Sequence, residues 1–304
     1  MVQSYTKVSL FCTLMVSDNY LLHIMNISIF NRFGALNSGP VFDAFCEGCK
    51  KHRIRVTEHN SSADVAVIWS QVWAGRMASN QSVWQEFLAS GRPVIVMEVG
   101  QLMRGVTWKM GINGVNARAW WGDGTEPDRV RKLAVRLQPW HQGDHILIAM
   151  QRSDSEQWAG LPPAEQWLRQ TIDRIREHTD RPIVVRPHPR QKLPFMPGIK
   201  IQQPQALRGT YDQFDFLGNT GRAWAVINEN SGPGSQAVIH GVPAFVGAYS
   251  MAAPVSNQDF ALIEKPLMPE RAEWLEQLCH TEWTLGEIRS GLPIGRLMGR
   301  LKSL

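Results

Sequence analysis

Short, continuous apolar runs alternate with amphipathic helical stretches along most of this chain. Runs of this kind, bounded by turn residues, are typical of strands that are buried on both faces of a parallel sheet. They occupy residues 65–69, 93–99, 145–150, 182–186, 224–228 and 243–247. Stretches with apolar residues at helical spacing, such as 163–178, separate them. The pattern predicts an α/β fold built on parallel sheets.

The alternation is interrupted between residues 100 and 143, where glycine and proline are frequent. Only residues 127–137 are predicted to form a helix there. The chain has 304 residues, and a domain usually contains roughly 100–200. We therefore predict two Rossmann-like domains that face each other across a cleft. The predicted units are residues 25–140, residues 141–280 and a helical tail at 281–304, preceded by an extension at 1–24 that carries little function.

Composition narrows the class of protein. Hydrophobic residues make up 43% of the chain and charged residues 19%, which is enough apolar material for buried cores. No apolar run reaches the roughly 18 residues of a membrane span, so no integral membrane association is expected. Only four cysteines are present, which favours the reducing cytoplasm, or the host cytoplasm for a phage protein. Lys and Arg outnumber Asp and Glu by 32 to 27, and this basic excess suits an anionic ligand.

Two arginines and a histidine lie at the end of the predicted strand at 182–186 and directly after it. Arg186, His188 and Arg190 alternate with two prolines that stiffen the loop. Ligands of open α/β sheets bind at the carboxyl ends of strands, and the forked donors of arginine suit phosphate oxygens. We interpret the loop as an anion-binding element. The alternative is a rigid surface loop, which we rank lower because so many like charges repel one another unless an anion binds.

A turn rich in serine and glycine follows the predicted strand at 224–228. It contains Asn230, Ser231, Gly232, Gly234 and Ser235. Pro233 suits the first turn of a helix, and the unpaired backbone N–H groups of a helix start attract an anion. The same residues are equally typical of an ordinary capped helix. The turn alone does not decide between the two interpretations.

Together these segments resemble nucleotide-sugar glycosyltransferases of the GT-B type, in particular capsule-polysaccharide transferase-like proteins and phage DNA-base glycosyltransferases. The resemblance rests on RPHPR at 186–190, NENSGPGSQAVIHGVPAFV at 228–246 and EWTLGEIRSGLP at 282–293. It implies an N-terminal acceptor domain, a C-terminal donor domain and a tail that crosses back to the first domain. A nucleotide-sugar would be a co-substrate, and no cofactor is expected. The implied donor-binding residues are Arg186, His188, Arg190, Asn230, Ser231, Gly232, Gly234 and Ser235.

The segment VIVMEVGQLMRG at 94–105 is similar to a motif of the same transferases, in which an acid serves as the catalytic base. Glu98, Gly100 and Arg104 match this motif, whereas Val99 stands where the family often has Asp. The resemblance implies that Glu98 is the base, which the reaction needs because the acceptor hydroxyl must lose a proton. The alternative interpretation is a strand-end acid paired to Arg104.

Further contacts are predicted from position alone. Gln151 and Arg152 follow the strand at 145–150, so we expect them to face the cleft and contact the sugar or the phosphates of the donor. The predicted acceptor-binding residues are Asn37, Ser38, Gly39 and Arg104. An ordinary turn explains the first three equally well.

No metal site is predicted. Cys46, Cys49 and His52 have the spacing of half a zinc site, but both cysteines fall on the apolar face of a predicted helix, so we expect core packing. The sequence contains no D-x-D pair to hold a metal–diphosphate. We therefore expect metal-independent transfer.

Three functional hypotheses follow, and the oligomeric state is left open by all of them. The first is a glycosyltransferase, with inverting chemistry, whose acceptor is either a 5-hydroxymethylpyrimidine in phage DNA or a surface polysaccharide. The basic balance and compact size favour DNA slightly, and the motif resemblance favours the polysaccharide. The second is a non-catalytic nucleotide-sugar-binding protein, which Val99 supports. A nucleotide-sugar 2-epimerase ranks last, because the second half offers few carboxylates for the cleft.

Overall fold

The computed structural model describes most of the chain. The described residues are 25–123, 128–191, 193, 196–204, 214 and 223–303. The predicted extension at 1–24 lies outside them, as does Pro127, the first residue of the predicted helix at 127–137. Within the described residues, no helix combines the length and the apolar character that crossing a bilayer requires.

Six strands form the first sheet. They are β1 (Asn26–Ile29), β2 (Arg55–Glu58), β3 (Val65–Trp69), β4 (Val94–Val99), β5 (Thr107–Ile112) and β11 (Glu282–Thr284). Their order across the sheet is β11-β5-β4-β3-β1-β2, and β5 runs antiparallel to both of its neighbours while β1 to β4 are parallel. Helices α1 (Gly39–Lys51) and α2 (Asn80–Ala89) bury their apolar sides in separate clusters on the two faces of this sheet.

Five parallel strands form the second sheet. They are β6 (His145–Ala149), β7 (Ile183–Arg186), β8 (Lys200–Ile201), β9 (Ala223–Asn228) and β10 (Ala244–Val246), in the spatial order β10-β9-β6-β7-β8. The helices that pack on it are α4 (Ala164–Arg176), α5 (Gly232–Ile239) and α6 (Ala272–Cys279). Because helices cover both faces, the strands carry continuous apolar runs. The predicted α/β fold with two sheets rich in parallel strands is confirmed.

Strand β5 falls in the stretch that the sequence analysis assigned largely to loops. Lys109 interrupts its apolar residues, so β5 lacks the continuous apolar run of a buried parallel strand. It pairs with β4 in the antiparallel direction. Trp108, Met110 and Ile112 all pack in the core of the first sheet. This alternation with a period of two is the signal that would have identified the strand.

The predicted helix at 127–137 is wrong in its extent. Helix α3 covers only Asp128–Lys132. Ala134 has a φ of 52°, in the left-handed region, and a residue in that conformation cannot continue a right-handed helix.

The last segment of the chain returns to the first sheet. After β11 come α7 (Leu285–Ser290) and α8 (Leu292–Ser303). Ile288, Ile294 and Leu297 are buried in the cluster that α1 also joins. The core of the first sheet therefore includes residues from the end of the chain. The division at 140 and 280 into acceptor and donor domains stays a prediction.

Loops at the carboxyl ends of the two sheets are hydrogen-bonded to each other. The backbone N–H of Trp73, after β3, donates to the carbonyl of Asp154, after β6, at 2.8 Å. Gln236 Nε2 of α5 donates to the carbonyl of Gln101, after β4, at 2.5 Å. These bonds hold the strand ends of one sheet against those of the other.

Candidate functional site

A cavity of about 150 Å³ lies where the carboxyl ends of the parallel strands of the two sheets meet. The first half of the chain lines it with Glu98, Gln101, Arg104 and Lys109, and the second half with Gln151, Arg152, Arg186, His188, Ser231 and Gly232. Ligands of open α/β sheets bind at this edge, and convergent polar side chains in a pocket are typical of a binding site.

Arg186 and Arg190 have different surroundings, although both were predicted to bind the donor. Arg186 is the last residue of β7, is only 3% exposed and lines the cavity. Arg190 is exposed and is not among the described residues that line the cavity. The intervening Pro187 and Pro189 also line it. The stiff turn thus brings one guanidinium to the cavity and leaves the other towards solvent.

His188 lies half-buried between these arginines. Burial lowers the pKa of His188 most, the charges of Arg152, Arg190 and Arg104 add to this effect and that of Asp154 opposes it, and the resulting pKa is about 4. The imidazole is therefore neutral at pH 7. Its Nδ1 accepts a hydrogen bond from the backbone N–H of Arg190 at 3.1 Å, so Nε2 carries the proton. His188 can donate one hydrogen bond to an anion in the cavity.

The loop after β6 is tied to this turn. Ser153 N–H donates to Gln191 Oε1 at 2.9 Å, and Gln191 Nε2 donates to Ser153 Oγ at 2.8 Å. In the same loop, Arg152 Nε donates to Asp154 Oδ1 at 2.7 Å, and Arg152 Nη2 donates to the other oxygen. Because of this pairing, the pKa of Asp154 is lowered and that of Arg152 is raised. Arg152 is held in place at the cavity while much of its charge is neutralised locally.

Gln151 and Asn230 form a pair that joins two loops. Gln151 Nε2 donates to Asn230 Oδ1 at 2.8 Å, and the backbone N–H of Asn230 donates to Gln151 Oε1 at 3.0 Å. Asn230 Nδ2 also donates to the carbonyl of Gln157 at 2.8 Å. Both side chains are buried, and only Gln151 lines the cavity. Their contacts position the loops after β6 and β9.

The start of α5 also faces the cavity. Ser231 precedes the helix, and its N–H donates to Asn228 Oδ1 at 2.9 Å, which fixes the turn. A Cβ atom added to Gly232 would lie 2.9 Å from Phe214 Cζ and 3.3 Å from Gln101 Cβ. Glycine therefore allows the backbone to approach the cavity wall closely. Ser231 and Gly232 line the cavity together with the first turn of an eight-residue helix, whose N-terminus carries partial positive charge.

Gly234 and Ser235 were predicted to bind the donor, but the structure places them inside the fold. A Cβ at Gly234 would lie 2.9 Å from Val246 Cγ1, so this glycine allows α5 to pack against β10. Ser235 is fully buried. Neither is among the described residues that line the cavity.

Glu98 is near the end of β4 and lines the cavity from the first sheet, whereas Arg186 lines it from the second. Ser70 Oγ donates to its Oε1 at 3.3 Å. Burial raises the pKa of Glu98, and the cations Lys109, Arg104 and Arg152 oppose that rise. A carboxylate whose pKa is raised is a stronger base than an ordinary one, which suits a group that has to accept a proton.

Arg104 lies in the loop that follows β4 and lines the cavity. Its guanidinium carbon is 5.0 Å from the ring centre of Phe214, and its Nη1 donates to the carbonyl of Gly100 at 3.4 Å. The predicted acceptor contact Arg104 is therefore placed at the cavity, on the side of Glu98.

The other predicted acceptor contacts lie elsewhere. Ser38 is 3% exposed, and its Oγ donates to the carbonyl of Ala35 at 2.7 Å. Gly39 begins α1 and is exposed. Asn37, Ser38 and Gly39 do not occur among the described residues that line the cavity, and they lie in the turn before α1 and at its first residue.

Lys109 and Gln101 line the cavity but were not identified from the sequence. Lys109 Nζ donates to Gln101 Oε1 and to the carbonyl of Val115, each at 3.3 Å. Burial lowers the pKa of Lys109, and the charges of Glu282 and Glu98 oppose that effect. Lys109 lies in β5, which the apolar pattern of the sequence did not predict, and its place in the site depends on that strand.

The two cysteines of the apparent zinc motif lie in and beside the core. Cys49 is fully buried in the cluster under the first sheet, and Cys46 packs against it. Burial raises the pKa of both thiols. The structure thus places them where the apolar face of α1 predicted.

Two solved structures resemble the fold of this chain. One is "Thermosulfurimonas dismutans KpsC, beta Kdo 2,4 transferase", with a TM-score of 0.51 and 11% identity, covering 89% of this chain and 98% of that chain. The other is "Thermosulfurimonas dismutans KpsC, beta Kdo 2,7 transferase", with a TM-score of 0.49 and 13% identity, covering 89% and 99%. No family model matches the chain, and neither does the sequence of any curated protein. The first likeness shows a glycosyltransferase-like fold, as predicted, whereas the GT-B arrangement of the domains stays a prediction.

Proposed function

We propose that this protein is a glycosyltransferase that moves a sugar from a nucleotide-activated donor to a hydroxyl acceptor. The observation that carries the proposal is the division of the cavity. Arg186, His188 and the start of α5 offer donors for an anion on one side, and Glu98 offers a half-buried carboxylate on the other. A transfer of this kind needs an anion-stabilising group and a base facing each other.

The chemistry assigned to each wall follows from the atoms available. The bond between the anomeric carbon and the phosphate oxygen breaks, and the nucleotide leaves with the electron pair. Arg186, the Nε2–H of His188 and the N–H groups at the start of α5 stabilise that growing negative charge. The acceptor oxygen forms the new bond to the anomeric carbon, and its proton passes to Glu98. Attack from the face opposite the leaving group gives inversion.

The guanidinium of Arg186 supplies positive charge at the position where the leaving group would be, and His188 and the start of α5 add hydrogen-bond donors, so the proposed transfer needs no metal ion. The nucleotide-sugar is a co-substrate in this scheme. His188 acts as a neutral donor, because its pKa of about 4 keeps it deprotonated at pH 7.

The acceptor is proposed to be a surface polysaccharide. The similar structure is described as a Kdo transferase of KpsC. This description agrees better with the resemblance to capsule-polysaccharide transferases than with that to phage DNA-base glycosyltransferases. The fold comparison lends no support to the phage DNA base that the basic balance favoured. An activated Kdo is the first donor to test, since the carboxylate of this sugar would suit Arg104 on the wall opposite the phosphate.

The test is a donor panel followed by a turnover assay. UDP-, GDP-, CDP- and CMP-activated sugars, including activated Kdo, are compared for their effect on thermal unfolding. A donor at 100 times its Kd stabilises the folded protein by about 2.7 kcal/mol. We expect one nucleotide class to stabilise the protein and to be consumed when an oligosaccharide acceptor is added. Stabilisation without turnover for every acceptor would instead support the non-catalytic binding protein, and no stabilisation by any donor would overturn the proposal.

DNA is tested separately by its salt dependence. A protein that contacts several DNA phosphates loses affinity steeply as salt rises, with a slope of about 0.9 per contacted phosphate. We expect a shallow response. A steep one, together with sugar transfer to hydroxymethylated DNA, would return the acceptor to the phage DNA base.

A further inference from the structure

Three charged residues form one row across the first sheet. Lys109 on β5 is directly paired with Glu98 on β4 and with Glu282 on β11. Directly paired residues of antiparallel strands project from the same face, so the three side chains are neighbours in the order Glu98, Lys109, Glu282. The row combines two strands of the first half with one from the end of the chain.

Lys109 is the centre of the row and is only 8% exposed. A buried ammonium is costly unless anions and hydrogen-bond acceptors surround it. Its Nζ donates to Gln101 Oε1 and to the carbonyl of Val115, and a carboxylate lies on each side of it in the register. These contacts hold the side chain of Lys109 at the cavity and leave it little freedom to move.

Glu282 is fully buried and fixed in place. It accepts hydrogen bonds from the backbone N–H groups of Gln101 and Leu102 at 2.7 and 3.0 Å, and from Thr107 Oγ at 2.8 Å. A Cβ added to Gly100 would lie 2.3 Å from Glu282 Oε2, so only glycine fits there. These contacts leave Glu282 as a static counter-charge.

Glu98 differs from Glu282 because it lines the cavity. Four groups face its carboxylate from four elements. They are Ser70 after β3, Arg104 after β4, Lys109 on β5 and Arg152 after β6. Of the three cations, Lys109 is the one that belongs to the same sheet row, where a second carboxylate, that of Glu282, is its neighbour on the other side.

We propose that Lys109 is a positioning residue whose charge favours the ionised form of Glu98 at the cavity, and that Glu282 is the counter-charge that favours the ionised form of Lys109 in the row. The task of Glu98 rests on the proposed function, whereas the coupling between the three charges does not. When the acceptor hydroxyl transfers its proton, Glu98 becomes neutral and the row passes from two carboxylates to one. The tail of the chain thereby contributes to a site whose other residues come from positions 70–233.

A pH titration of Glu98 tests the coupling without requiring turnover. Protein labelled with ¹³C in its glutamate carboxyl groups is titrated by NMR, and E98Q identifies the resonance of Glu98. In K109M we expect the midpoint of Glu98 to move to higher pH, because an opposite charge is lost. In K109R we expect it to stay close to that of the wild type. The same midpoint in wild type, K109M and K109R would overturn the proposal.

K109Q is a second neutral variant, for use if K109M does not fold. Its side-chain amide can still donate to Gln101 or Val115 while the charge is absent. Thermal unfolding of each variant checks that the fold is intact, and the expected titration midpoint is that of K109M.

Kinetics then test whether Lys109 acts through Glu98. K109M should lower kcat at least about tenfold with little change in the KM for donor, and the acid limb of its pH–rate profile should move to higher pH. K109R should recover most of the lost rate. In the E98Q background, K109M should cause no further loss of kcat, whereas a full additional loss would overturn the proposal that Lys109 acts through Glu98.

Absence of turnover with every donor would contradict the proposed function alone, because the NMR titration would still decide the coupling.

Discussion

The two walls of the cavity are built in different ways. The wall from the second sheet consists of the carboxyl ends of parallel strands and the start of α5. Its polar side chains each lie within a few residues of a strand end, as Arg152, Arg186 and Ser231 do. The wall from the first sheet includes an antiparallel insertion, in which β5 and β11 extend a parallel sheet. The charged residues of this wall are Glu98, Arg104 and Lys109, and Glu282 is paired with Lys109 in the sheet without lining the cavity.

This difference matches a difference in chemistry. An anion needs several donors that point to one place, and a strand end followed by a turn or a helix start supplies them locally. A base needs a carboxylate whose pKa is set by nearby charges, and adjacent strands can place such charges side by side in a buried row. We infer that the wall from the second sheet binds the leaving group and that the wall from the first sheet accepts the proton of the acceptor hydroxyl. The following substitutions test this division.

The largest effect is expected for Glu98→Gln. Amide replacement removes the base but keeps the size of the side chain, so kcat should fall about 10²- to 10⁴-fold while donor affinity stays near that of the wild type. Steady-state kinetics and calorimetric donor titration measure the two separately. Glu58→Gln is a matched control, because Glu58 also ends a strand of the first sheet but is exposed. A large loss of donor affinity in E98Q would break the division between the walls.

Arg186→Met should act on donor binding. A charge-assisted hydrogen bond contributes about 1.5–3 kcal/mol, so the Kd for donor should rise about ten- to a hundredfold. Arg190→Gln is the control, since that residue is exposed and the described lining of the cavity does not include it. We expect it to change the Kd little. Equal effects of the two substitutions would show that the whole loop acts as a diffuse positive patch.

His188→Gln should change the dependence of stability on pH. The pKa of His188 falls from 6.5 to about 4 on folding, so the unfolded chain binds more protons between these values. The stability that the neutral His188 gives to the folded state is present in full above pH 6.5 and is lost as pH falls towards 4. In urea unfolding at several pH values, the free energy of unfolding of H188Q should therefore decline less steeply with falling pH than that of the wild type. His178→Gln, at an exposed histidine, should keep the decline of the wild type.

The smallest effects are expected for two glycines. Gly299→Ala, in helix α8 with open space around the added Cβ, should stabilise the fold by about 0.4–1 kcal/mol. In Gly232→Ala, the new Cβ would crowd Phe214 and Gln101, so the gain should be cancelled or reversed and donor binding weakened. Thermal unfolding and donor titration check both. Equal stabilisation by the two substitutions would indicate that the backbone of Gly232 does not approach the cavity wall closely.

The second wall was largely predictable because its signals are local. Arg186, His188 and Ser231 follow apolar runs that define strand ends, and strand ends are where such sheets bind ligands. What remained ambiguous was the direction of each side chain. Whether Arg190, Gly234 or Ser235 faces the cavity depends on the course of the turn and on the rotation of α5.

The first wall was only partly predictable. Glu98 and Arg104 were identified from a motif, but Lys109 and Glu282 were not. Their role depends on a register between β4, β5 and β11, and β11 lies more than 150 residues further along the chain. Pairing over such a separation is set by tertiary packing, which no local pattern in the sequence reports.

A crystal structure with a bound nucleotide-sugar donor tests the central claim most directly. The account predicts that the phosphate lies within hydrogen-bond distance of Arg186, His188 Nε2 and the N–H groups at the start of α5. The anomeric carbon should face the side of the cavity that Glu98 lines. A donor bound with its phosphate against Glu98 and Lys109, or bound outside this cavity altogether, would contradict the account.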